Sequence, residues 1–78
     1  MRPKTEQHLW HADVRHRDKN FGGKFTATTL FITVTQPDET FPDIDKALAR
    51  TNRVLYRQRR RYSSPVIQGI AYQGTIDE

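Results

Sequence analysis

The 78-residue sequence contains no cysteine. That excludes a disulfide scaffold, a thiolate metal site and a cysteine nucleophile. No apolar run reaches the roughly 18 residues that a spanning helix requires. The opening residues, MRPKTEQHLW, lack the apolar stretch of a secretory signal. The expected location is therefore cytoplasmic, with no membrane among the partners. Apolar residues are also scarce. The set AVILMFWYC makes up 35% of the chain, and even with glycine the total stays below the roughly 45–50% of ordinary globular domains. So short and polar a chain can build one thin core. It reads as a single domain over 1–78, with residues 1–7 flexible, and has no room for a multidomain enzyme.

Charge of one sign is missing from two stretches. Residues 25–45 carry four acids and no Lys or Arg, whereas residues 46–61 carry seven Lys or Arg and no acid. The net charge of +4 hides this segregation. Nine of the thirteen cations are Arg. The planar guanidinium fork grips phosphate or carboxylate with two bonds, whereas an ammonium acts as a point charge. A basic face serving only solubility is the plain alternative.

What is present follows two periods. From His8, the residues Trp10, Ala12 and Val14 alternate with His11, Asp13, Arg15 and Arg17, the period of a half-buried strand. Asp18 to Lys24 supplies a hairpin loop, with Asn20, Gly22 and Gly23 able to take positive φ. Phe25 to Thr35 is rich in β-branched and aromatic residues. Both its faces carry apolar side chains, so its inward face stays undetermined. Gln36-Pro37-Asp38-Glu39 makes a turn. Thr40 and Asp43 resemble a capping box, with Pro42 in the first turn of a helix over 43–61. Ile44, Ala47, Leu48, Thr51, Leu55, Gln58 and Tyr62 form its inward stripe, flanked by Val54. After Ser63-Ser64-Pro65, a last strand sets Val66, Ile70, Tyr72 and Ile76 against Ile67, Gly69, Ala71 and Gln73.

The expected fold class is α+β: a β-β-α-β chain forming a three-stranded antiparallel sheet, order 2-1-3, with one amphipathic helix on one face. The other sheet face then stays open. It would show His11, Asp13, Arg15, some of Phe25, Thr29 and Phe31, and Ile67, Ala71 and Gln73. Such a face suits a partner or a homodimer.

On the helix, Lys46, Arg50, Arg53, Arg57, Arg60 and Arg61 fall within an arc of about 100°, opposite the inward stripe. Neighbouring like charges cost roughly 0.2–0.5 kcal/mol per pair in an isolated helix. Favourable dipole interactions explain basic residues in the last turn but not Arg50 and Arg53. The expected binding residues are therefore Lys46, Arg50, Arg53, Arg57, Arg60 and Arg61, with Tyr56, Arg15 and Phe31 as further contacts. The expected partner is a nucleic-acid backbone or an acidic protein surface. Tyr56 to Tyr62 also resembles arginine-rich RNA-binding segments.

Chemistry finds little footing. On a strand, His8 and His16 share a face about 26 Å apart, and His11 lies opposite, so a zinc site is not expected. His16-Arg17-Asp18 spells a kinase triplet by chance, in a chain too short for a kinase. Gly22-Gly23-Lys24 lacks P-loop spacing. Trp10 reads as core. No catalytic residues and no cofactor are implied, so the chain reads as a binding protein rather than an enzyme.

In length, missing cysteine and inferred β-β-α-β order, the whole chain resembles small phage-encoded inhibitors of the anti-CRISPR type. That resemblance implies a non-enzymatic protein, acting in the host bacterial cytoplasm. It would dock on a subunit of a nucleic-acid-handling complex, such as a CRISPR effector, and block its access to DNA. Many such inhibitors are acidic and look like DNA. The Arg-rich helix departs from that pattern. The alternative is a module that binds DNA or RNA directly through the basic ridge.

Overall fold

The computed structural model describes residues 4–76. Strand β1 (Thr5–Asp18) runs through a single 3-10 turn (Lys19–Phe21) into strand β2 (Lys24–Pro37). Helix α1 (Ile44–Arg57) follows, and strand β3 (Ser63–Ile76) is the last element among the described residues. The sheet order is β2-β1-β3, with β1 antiparallel to both neighbours. This is the α+β, three-stranded, one-helix architecture expected from the sequence.

The strands extend further than the alternation suggested. Thr5 to Gln7, expected to be flexible, pair with Pro37 to Thr35. Two bonds secure this end: Asp38 N–H donates to the Lys4 carbonyl at 2.9 Å, and Glu39 N–H donates to a Glu6 carboxylate oxygen at 3.0 Å. The remainder of the expected flexible segment, residues 1–3, lies outside the described residues. At the other end the positive φ angles fall on Gly22 (63°) and Gly23 (76°). Asn20 instead donates its N–H to the Asp18 carboxylate at 2.8 Å.

Pairing with β1 fixes which face of β2 turns inward. Ile32 sits opposite Trp10 and Val34 opposite His8, and all four are buried. Phe31 sits opposite His11 on the outer face and is 69% exposed. The core lies between this sheet face and α1. Trp10, Ile32, Val34 and Ala47 form one part, and Ala12, Val14, Leu55 and Tyr62 the other, with Leu30 and Ile70 packed against both.

In β3 the expected alternation is corrected. Ile67 packs on the core opposite Val14, whereas Val66 is exposed opposite Arg15. A register irregularity between Asp13 and Val14 adds a residue to β3, so the side-chain phase flips there.

The helix is shorter than expected at both ends. Asp43, not Thr40, caps it: the carboxylate accepts from Asp45 N–H at 3.0 Å and Lys46 N–H at 3.2 Å. Pro42 therefore precedes the cap instead of occupying the first turn. Gln36, buried at the end of β2, ties this corner together. Its amide donates to the Phe41 carbonyl at 2.9 Å and its oxygen accepts from Asp43 N–H at 3.0 Å. At the far end the helix stops at Arg57, and residues 58–61 form a turn. Tyr62 must then enter the core, where its ring meets His16 edge-on at 4.7 Å. Of the expected inward stripe, Ala47, Thr51, Leu55 and Tyr62 are buried. Leu48 and Val54 are half-buried, while Gln58 is exposed and Ile44 remains 47% exposed beyond the rim of the core.

Candidate anion-binding ridge

Lys46, Arg50, Arg53 and Arg57 recur at spacings of four, three and four on α1, and all are exposed. The helix periodicity that buries Ala47, Thr51 and Leu55 places these four on one outer line. Among the described residues the only approach of ion-pair type is His8 Nε2 to a Glu6 carboxylate oxygen at 3.6 Å. The four ridge cations therefore have no carboxylate partner among the described residues.

Two of the expected members leave the ridge. Arg60 and Arg61 lie in the turn after α1, because the helix has already ended. Arg61 instead lies 5.5 Å from the centre of the Tyr62 ring. Tyr56 is 68% exposed, but Arg59 lies over its ring at 4.7 Å and donates to its carbonyl at 3.1 Å. Tyr56 borders a separate hollow of about 300 Å³, shared with Asn52, Leu55, Arg59, Tyr62 and the start of β3.

The ridge faces a different way from the one expected. Lys46, Arg50 and Arg53 do not point simply away from the sheet. With Ala49 they form one wall of an open groove of about 350 Å³, whose other wall is Thr33, Val34 and Thr35 of β2. Because β2 is an edge strand, this groove runs along the outer margin of the sheet.

Arg15 and Phe31 sit on the other layer. Both belong to odd-numbered positions of β1 and β2, opposite the face that packs on α1. Arg15 and Arg17 both stack on Phe25, at 4.7 and 4.9 Å from the ring centre. Asp13 on this face accepts a bond from the Thr29 hydroxyl at 2.9 Å. The structure thus groups Lys46, Arg50, Arg53 and Arg57 together and separates them from Arg15 and Phe31 by the thickness of the sheet. Sequence reasoning missed the Arg15–Phe25–Arg17 stack and the β2 wall of the groove. The signal for the wall was present: residues 25–36 contain no charge, glycine or proline.

No group of three His, Cys, Asp or Glu side chains among the described residues is placed to hold a metal. His8 and His16 are buried on the helix side. His16 Nε2 lies 2.8 Å from the Thr28 hydroxyl, whereas neither ring nitrogen of His8 has a hydrogen-bond partner among the described residues. Trp10 is core, as expected, with its ring 5.3 Å from that of Tyr72. No helix among the described residues is long and apolar enough to cross a membrane.

No family model matches the chain, and neither does any curated protein or solved structure.

Proposed function

We propose that this chain is a small non-enzymatic docking protein that seats its basic helix on an acidic surface of a partner. In format it resembles phage-encoded inhibitors of the anti-CRISPR type. An inhibitor of that kind would dock on a subunit of a nucleic-acid-handling complex, such as a CRISPR effector, and deny it target DNA. The observation that carries the reading is the exposed line of Lys46, Arg50, Arg53 and Arg57, with no carboxylate partner among the described residues. Like charges at helical spacing are unfavourable for the isolated protein, so a partner of opposite charge gives them their use.

Direct binding of DNA or RNA is the second reading, favoured by the Arg content of that same line. A single-strand binder sets aromatic platforms beside its phosphate contacts. Here Phe31 lies on the opposite sheet face and Arg59 already stacks on Tyr56. That separation favours a protein partner.

The test is a DNA-binding assay of a CRISPR effector complex, with and without the chain, beside titration of the chain into the same DNA alone. The expected result is reduced target binding by the effector and little binding to bare DNA at about 0.15 M salt. Arg50→Glu with Arg53→Glu and Arg57→Glu should relieve the inhibition. Binding to bare DNA with a log–log salt slope near −0.9 per phosphate contacted would transfer the ridge to the second reading.

A further inference from the structure

The margin of β2 has the makings of a strand acceptor. Its register with β1 runs unbroken from Thr5↔Pro37 to Asp18↔Lys24. Asp38 N–H bonds the Lys4 carbonyl, which makes Lys4 and Asp38 a hydrogen-bonded pair. In an antiparallel ladder such pairs alternate with pairs whose groups point away from the partner strand. Continuing the register, Gln36, Val34 and Ile32 bond β1, and Thr35, Thr33 and Phe31 direct their N–H and C=O groups outward. Natural edge strands are usually blunted by charge, proline or bulges. Between Phe25 and Gln36 this strand has no charge, glycine or proline, and its register has no shift.

The charge stands beside the edge instead of on it. Lys46, Arg50 and Arg53 line the groove along Thr33 to Thr35. A second copy of this chain pairing antiparallel at the same edge would bring its helix to the same face and set two cationic lines against each other. That repulsion disfavours self-pairing and selects an acidic strand.

We infer that the outer edge of β2 receives an extended segment of a partner protein carrying Asp or Glu at alternate positions, which joins the sheet as a fourth strand. This rests on the docking reading and adds to it the form of the ligand. In an added strand, the residues opposite Ile32, Val34 and Gln36 face the helix layer. They recur about every 6.8 Å, and Lys46 to Arg53 spans about 10 Å along the helix axis, so two or three acids fit. The intervening residues face the open layer beside exposed Phe31, where apolar side chains fit best. Outward backbone groups supply affinity and the ridge supplies selectivity.

The probe is a labelled peptide alternating Glu with Val, compared with an isomer carrying all its Glu in one block and with oligothymidylate. The alternating peptide should bind about tenfold more tightly than the block isomer. Binding should slow hydrogen exchange at the amides of Phe31, Thr33 and Thr35. Thr33→Pro, which removes an outward N–H without an inner ladder bond, should weaken binding about tenfold. An alternating peptide N-methylated where it would donate to β2 gives the same readout on the unaltered protein. Equal binding of the two isomers, unchanged exchange at those amides, or tighter binding of oligothymidylate would overturn strand addition. If Arg50→Glu with Arg53→Glu abolishes peptide binding but Thr33→Pro and N-methylation do not, docking survives and strand addition fails. If none of these changes matters, the docking reading fails as well.

Discussion

The two margins of the sheet, each a 14-residue strand antiparallel to β1, differ in regularity. β2 pairs with β1 across fourteen successive positions without a shift. β3 pairs with the other side of β1 through three irregularities, and it contains Pro65, Gly69 and Gly74, the last at φ 120°. One margin is regular, whereas the other is bent and interrupted; neither strand carries a charge apart from Lys24 at the start of β2. Bulges, proline and glycine are the usual means of making an edge unfit for pairing. β3 has them along its length, whereas β2 has a single proline, Pro37, at its last position. Three cations of α1, Lys46, Arg50 and Arg53, line the β2 groove, while Arg59 borders the hollow at the start of β3. An unbroken edge and a cationic wall therefore lie together at β2, and the added strand proposed above rests on that coincidence.

The largest expected difference between the margins is in stability. Ile32 on β2 is buried in the core, and Ile67 on β3 is half-buried. Ile32→Ala should cost about 3 kcal/mol and Ile67→Ala about 1 kcal/mol in urea unfolding, in proportion to the contacts each loses. Similar losses would mean that β3 is as firmly packed as β2.

Binding comes next. Arg50→Glu with Arg53→Glu should weaken the Glu–Val peptide about thirtyfold, by turning attraction into repulsion. Arg60→Glu with Arg61→Glu, in the turn leading into β3, should change affinity less than about threefold. Fluorescence anisotropy at fixed salt measures both. Equal effects would erase the distinction between the margins.

Smaller changes probe the backbone. A Cβ at Gly74 would meet nothing within 4 Å, but φ there is 120°. Gly74→Ala should therefore cost about 1–2 kcal/mol through backbone strain alone, read as a lower thermal midpoint. Thr33→Lys places a charge on the open margin of β2. It should leave unfolding free energy within about 0.5 kcal/mol of the parent while weakening the Glu–Val peptide less than Thr33→Pro does, since its N–H remains.

The sequence carried much of this architecture and little of its asymmetry. The alternation of Trp10, Ala12 and Val14, the turn residues around Gly22 and Gly23, and the stripe of Ala47, Thr51 and Leu55 were enough for β-β-α-β and the sheet order. The face of β2 was not legible, because Phe31 and Ile32 are both apolar and only pairing with His11 and Trp10 separates them. The phase of β3 was hidden for a related reason: an irregularity opposite Asp13 and Val14 has no marker in local composition. The basic periodicity continues past Arg57, but the helix does not: residues 58–61 form the turn that returns the chain to the sheet as β3 at Ser63. Of the six cations expected on one ridge, Lys46, Arg50, Arg53 and Arg57 share a line on α1, and Arg60 and Arg61 leave it. Its orientation toward β2 depends on how α1 lies across the sheet, which periodicity alone does not encode.

The most direct test is a charge swap at the groove. The Arg50→Glu, Arg53→Glu variant is titrated with two peptides, one alternating Glu with Val and one alternating Lys with Val. The expected result is an exchange of preference: the variant rejects the Glu peptide and gains the Lys peptide, which the parent protein does not bind. A variant that loses the first without gaining the second, or that keeps the parent's preference, would contradict a complementary strand beside β2.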